Sequence, residues 1–310
     1  MDTAEHDTAA AGGPTTSTGT GPERPVPTRA EVHGHPRPGQ RRWPQGDPDG
    51  RAARTTRPWY RRLGWLWVLL VGTAAYVAEL VVLVGTGNPN FFPSMLLLGA
   101  TVVPLSVLTF AATSGTRVST PTGWLVAVVV VGGVLGTLAA GLLEYDTLRR
   151  LVWGQYLMVG LIEEASKLVV PLVAMAVLWR RYPYAGVVVG VASGMGFAAL
   201  ETMGYGFTAL LQARSLAAVD QTLLLRALLA PAGHVAWTGL TMAALWRVPR
   251  AAHRVRALLG AAGVFVVAVL LHAAWDGLNG LPAHVAVGVV SVVALLWTIH
   301  RVHHDEKLFA

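Results

Sequence analysis

From about residue 63 the apolar side chains run in blocks of about twenty, and short clusters of Arg, Pro, Gly or Asn separate most of the blocks. Eight blocks can be marked, at 63–85, 91–113, 122–143, 151–179, 185–211, 223–247, 257–278 and 282–300. Wound as a helix at about 1.5 Å per residue, about twenty apolar residues match the roughly 30 Å hydrocarbon layer of a bilayer. No water reaches backbone groups there, so a helix is the form that satisfies them internally. The pattern predicts an all-α fold, a polytopic transmembrane helix bundle of about eight spans. Only Asn279-Gly280-Leu281-Pro282 separates the last two blocks, which predicts a tight turn.

Residues 1–57 lack this pattern. They are rich in Pro, Gly, Thr and Arg and nearly free of large aliphatic side chains, so they bury too little surface to offset chain entropy. The reading is a disordered cytoplasmic tail at 1–57, a transmembrane helical domain at 58–300 and a short cytoplasmic tail at 301–310. With 53% hydrophobic and 13% charged residues, the whole chain is too apolar for a soluble domain. Cysteine is absent, which removes disulfides and thiolate nucleophiles and leaves His, Asp and Glu as the available metal ligands. The net charge of +7 does not indicate nucleic acid, because the basic residues gather in the tails and alternate loops. Under the eight-span parsing, 19 of the 24 Lys and Arg residues fall on one side and four on the other, with Lys167 inside a span. The positive-inside rule then places both termini in the cytoplasm.

Charged residues inside the blocks are the exceptions that carry chemistry. In Leu161-Ile162-Glu163-Glu164-Ala165-Ser166-Lys167, two carboxylates and an ammonium stand in an apolar run. Each costs roughly 2.5–3.5 kcal/mol at the bilayer centre on insertion scales, so all three need partners within a bundle. Glu163 and Lys167 are four residues apart, and Glu164 lies about 100° round the helix, so the three share one face. The next block carries Gly186, Gly190 and Gly194, a ladder of small residues that admits a second backbone, with Phe197 and Glu201 on the same stripe. Pro231-Ala232-Gly233-His234 predicts a kink in the sixth block. In the seventh, His272 and Asp276 align at spacing four, and a carboxylate so placed can fix an imidazole tautomer. Counted from the outer helix ends, Glu163, Glu201, His234 and His272 all lie about 12–18 Å deep, which predicts one shared layer. Glu79 has no partner at helical spacing and is left outside the site.

The ordered set Glu163-Glu164-x-x-Lys167, Phe197-x-x-x-Glu201, His234 and His272-x-x-x-Asp276 resembles the four motifs of PrsW-type intramembrane proteases. That family is related to the CAAX prenyl proteases and bacteriocin-processing membrane enzymes. The resemblance covers about residues 155–279. It implies hydrolysis of a peptide bond in a membrane-bound protein substrate, in a bacterial plasma membrane, of the kind that makes the first (site-1-type) cut in a single-span anti-sigma factor. In the CAAX branch a His and an Asn stand where this chain has Glu201 and Asp276, so the roles assigned in that branch do not transfer directly.

The site read from the sequence is Glu163, Glu164, Lys167, Glu201, His234, His272 and Asp276. Glu163 is the expected general base on water, with Glu164 and Lys167 holding the local charge. Glu201, His234, His272 and Asp276 form the candidate metal set, for a divalent ion such as Zn²⁺. Glutamate-driven water activation would need no ion, and both routes stay open. Two other functions fit buried carboxylates and histidines: a proton- or cation-coupled transporter, and a non-catalytic membrane scaffold. No internal repeat supports the transporter.

Overall fold

The computed structural model describes residues 63–114 and 120–304. The expectations for the tails at 1–57 and beyond His304 lie outside those residues. Nine helices are present among the described residues: α1 Gly64–Thr86, α2 Phe92–Thr113, α3 Thr122–Leu148, α4 Gln155–Leu178, α5 Gly186–Ala213, α6 Leu216–Leu229, α7 His234–Arg247, α8 Arg254–Gly277 and α9 Leu281–His304. No strand occurs among them. Among the described residues, seven spans are long and apolar enough to cross a membrane, one of them formed by the broken stretch from Leu216 to Arg250. Helix α4 has the length, at 24 residues, but carries Glu163, Glu164 and Lys167.

The boundaries follow local chemistry. Gly87, at φ 63°, closes α1 in the left-handed conformation that other residues resist. Gly280, at φ 110°, makes the tight turn between α8 and α9 that the sequence predicts. The expected kink in the sixth block is a full break. Pro231 supplies no backbone N–H, the chain forms a 3₁₀ turn over Ala230–Ala232, and α7 starts afresh at His234.

Helix α5 is the central post. Nearly every residue from Gly186 to Ala199 is buried, and the helix packs on α2, α3, α4, α6 and α7. A helix apolar on all sides belongs in such a position. Its glycine ladder runs antiparallel to α7. A Cβ at Gly186 would fall 2.4 Å from Trp246 Cβ, one at Gly190 would fall 2.4 Å from Thr238 O, and one at Gly194 would fall 2.4 Å from His234 O. On the opposite face, a Cβ at Gly196 would meet Val129 O of α3 at 2.0 Å. Absent side chains thus fix how closely α3 and α7 approach α5.

Gly194 rests directly on the backbone of His234, so fold and site meet there. Gly194→Ala is expected to force α5 and α7 apart at a cost of about 1–3 kcal/mol, the usual penalty for overpacking. Gly204→Ala, in the same helix but facing open space, should be neutral or slightly stabilising. Thermal unfolding of the two variants in detergent checks the contrast. Equal midpoints would mean that the ladder does not set the packing.

Candidate active site

Lys167 is the hub of the site. It is fully buried on α4 and spends its three ammonium hydrogens on three acceptors: Glu163 Oε2 at 3.0 Å, Glu164 Oε1 at 2.8 Å and His234 Nδ1 at 2.7 Å. Its Nζ also lies 4.3 Å from the centre of the Phe197 ring. A buried ammonium is tolerated only when it is matched this fully.

The acceptor role of His234 Nδ1 puts the ring hydrogen of an uncharged His234 on Nε2. That atom lies 2.8 Å from Glu201 Oε2. Helix α8 supplies the second imidazole. His272 Nδ1 lies 2.9 Å from Glu164 Oε1, a pairing that spans 108 positions of sequence. Its Nε2 faces Asp276 Oδ2 at 3.4 Å and Glu163 Oε2 at 3.6 Å. Gly160 lets this helix close in, because a Cβ there would lie 2.9 Å from Val269 O and 3.3 Å from His272 Cβ.

All seven residues selected from the sequence therefore meet in one cluster, together with Phe197. The shared layer is present, although His234 reaches it through the chain break rather than from within a continuous helix. Glu79 is not isolated: its Oε2 accepts a hydrogen bond from Ser94 Oγ at 2.9 Å.

A divalent metal fits this cluster, but the set differs from the one read from the sequence: Glu163 enters it, and Glu201 and Asp276 leave it. The ligand atoms that converge to within 4.8 Å of one another belong to Glu163, His234 and His272. Glu163 Oε2 lies 3.8 Å from His234 Nδ1 and 3.6 Å from His272 Nε2. Tetrahedral ligands on bonds of about 2.1 Å stand about 3.4 Å apart, close to these two separations, and an ion there would take His234 Nδ1 from Lys167, whose Nζ lies 2.7 Å from it. Each ring also turns its other nitrogen to a carboxylate, Glu201 for His234 and Glu164 for His272. This is the usual outer support of metal-binding histidines. A neutral His272 would aim the Nε2 lone pair at two carboxylate oxygens, and a shared cation relieves that repulsion. Glu201, placed in the metal set from the sequence, instead backs His234.

Several contributors escaped the sequence reading. Arg226 on α6 approaches Glu201 Oε2 to 2.7 Å and lies 3.9 Å from the centre of the Tyr205 ring. Its signal was available, a single arginine among leucines in Leu223-Leu224-Leu225-Arg226-Ala227-Leu228-Leu229. Trp237 stacks on His272 with ring centres 4.9 Å apart and donates Nε1–H to Ser291 Oγ at 2.9 Å, so it holds the imidazole from behind. Nothing in its own sequence neighbourhood marks it.

Chemically, the cluster joins several carboxylates that can take a proton, two oriented imidazoles and a fixed positive charge in a largely buried setting. Comparison with curated proteins and with solved structures finds no match. A family model, that of the PrsW family intramembrane metalloproteases, matches residues 103–299. The matched stretch extends beyond the motif-bearing 155–279 and takes in half of α2, all of α3 and most of α9. It spans more than half of the chain, and the chain belongs to the PrsW family of intramembrane metalloproteases.

Proposed function

We propose that this intramembrane protease makes the first, outer cut in a single-span membrane protein of the anti-sigma type, at a site built on Glu163, His234 and His272. The observation that carries the catalytic part of this reading is the convergence of those three ligand atoms, with a carboxylate behind each ring, and the substrate class is proposed from the resemblance to PrsW-type proteases. Glu163, His234 and His272 would hold a divalent ion such as Zn²⁺, which when bound polarises a carbonyl and makes water acidic.

The chain's own residues supply the rest. Glu163 Oε1 takes the proton of the attacking water, while Oε2 stays with the imidazoles and Lys167. A single Nδ1 lone pair serves one partner at a time, so one Lys167 hydrogen would be free wherever His234 Nδ1 helps to hold the ion. That hydrogen can then stabilise the oxyanion that forms as water adds to the carbonyl. Glu201 and Glu164 hold the two rings in the required tautomers. Glu163 then hands that proton to the departing amine, which restores its carboxylate, and Asp276, the most exposed of these carboxyls, orients His272 from 3.4 Å.

The charge count supports an orientation with both termini in the cytoplasm. The cluster then lies toward the outer face, close to where α4 begins and α8 ends. The test is membrane proteomics of cells carrying the wild-type chain or Glu163→Gln. A single-span protein should accumulate uncut in the variant, and the wild-type cut should map to the outer side of its span. Identical membrane proteomes would overturn the assignment to a single-span substrate, and a cut on the cytoplasmic side would reverse the orientation.

A further inference from the structure

We propose that the cavity beside His234 receives an aliphatic or aromatic substrate side chain next to the scissile bond and so selects the cut site; this rests on the protease reading above. The cavity, about 180 Å³, is bounded by α5, α6, α7 and α8 and by His284 of α9. An apolar cavity of about 150 Å³ holds a benzene ring, so the space suits Leu, Met or Phe.

Its position ties it to the reaction. His234 and Trp237 both line it, and Trp237 is the residue stacked on His272. One wall therefore belongs to one of the two imidazoles that would flank the reacting carbonyl and to the indole stacked on the other.

Its chemistry follows from which polar groups are already engaged. Arg226 is matched by Glu201 and lies within 3.4 Å of Thr202 Oγ1. His284 pairs Nδ1 with Gly280 O at 2.9 Å, and its ring meets Trp275 edge-on. Trp237 gives its N–H to Ser291. What remains for a ligand is the ring surface of Trp237 and Trp275 and the aliphatic Ala198, Leu225 and Leu229. An acidic side chain would add a second carboxylate to a guanidinium already matched by Glu201, and a basic one would face Arg226 itself. Leu225 is 52% and Leu229 is 40% exposed, so the α6 wall borders the lipid phase from which a membrane segment arrives.

The experiment uses the full chain, loaded with metal in lipid nanodiscs. The probe is a pool of model single-span peptides that carry Gly, Ala, Leu, Met, Phe, Trp, Asp or Lys in turn at each central position. Cut sites are read by mass spectrometry, with Glu163→Gln as the blank. The wild-type chain should favour Leu, Met and Phe over Asp and Lys by more than about tenfold at one fixed position beside the cut, in line with pocket discrimination elsewhere. Ala198→Phe, which fills the cavity, should move that preference to Gly and Ala. Leu225→Ala shortens a half-exposed side chain on the cavity wall, and it should admit Trp. Cutting with no preference at either flanking position, or a Leu225→Ala profile equal to wild type, overturns the pocket and leaves proteolysis standing. No cutting above the Glu163→Gln blank overturns the protease reading and the pocket with it.

Discussion

Glu163→Gln is expected to lower peptide-bond cleavage by at least about 10³-fold while the protein still inserts and accumulates. The substitution keeps the size of the side chain but removes a base, a contribution usually of about 10²–10⁴-fold. It also takes the negative charge from the group shared by Lys167, His234 and His272. His272→Ala should lose a comparable amount, because it empties the middle of the cluster. Glu201→Gln touches the site only through His234 and Arg226, so its loss should be nearer about 10–100-fold, the usual scale for an orienting partner. Groups that act as one unit lose activity non-additively, so Glu163→Gln with His272→Ala should be little worse than either alone. Wild-type rates in Glu163→Gln would remove this cluster from the chemistry, and a simple product of losses would mean that the two residues act independently.

Stripping metal from the purified protein should abolish cleavage, and adding back Zn²⁺ or another divalent ion should restore it, with about one ion bound per chain. The warrant is the spacing of the Glu163, His234 and His272 ligand atoms and the carboxylate behind each ring. Metal content gives a readout that does not depend on turnover. His272→Ala should purify nearly metal-free, and Glu164→Gln should weaken binding by about 10–100-fold. Full activity in a sample shown to contain no metal would leave Glu163 and Lys167 as a metal-independent pair and refute the three-ligand site.

Much of the fold is legible in the chain because membrane insertion is a one-dimensional constraint. Apolar length reports a span wherever it occurs, and all eight blocks contain helix. The failures are local and have named causes. The sixth block reads as one helix, but Pro231 and Gly233 divide it and give α6 seven residues ahead of the expected start at 223. The third block was closed at 143, whereas α3 runs on through a polar end to Leu148.

The site divides in the same way. Helical periodicity alone puts Glu163 with Lys167, and His272 with Asp276, on common faces, since spacing four is a property of one helix. The glycine ladder states in advance that α5 will be closely approached, because only a missing side chain admits another backbone. Which backbone approaches, and at what rotation, depends on contacts between distant segments. Gly194 seats His234, and Gly160 seats His272, and no local rule names those partners. For that reason the sequence places Glu201 among the metal ligands. Only the packed bundle turns Glu201 toward Arg226 and the far side of His234, and brings Glu163 between the two imidazoles instead. Periodicity determines which residues share a face, whereas the rotation of each helix against its neighbours decides which atoms of those faces meet.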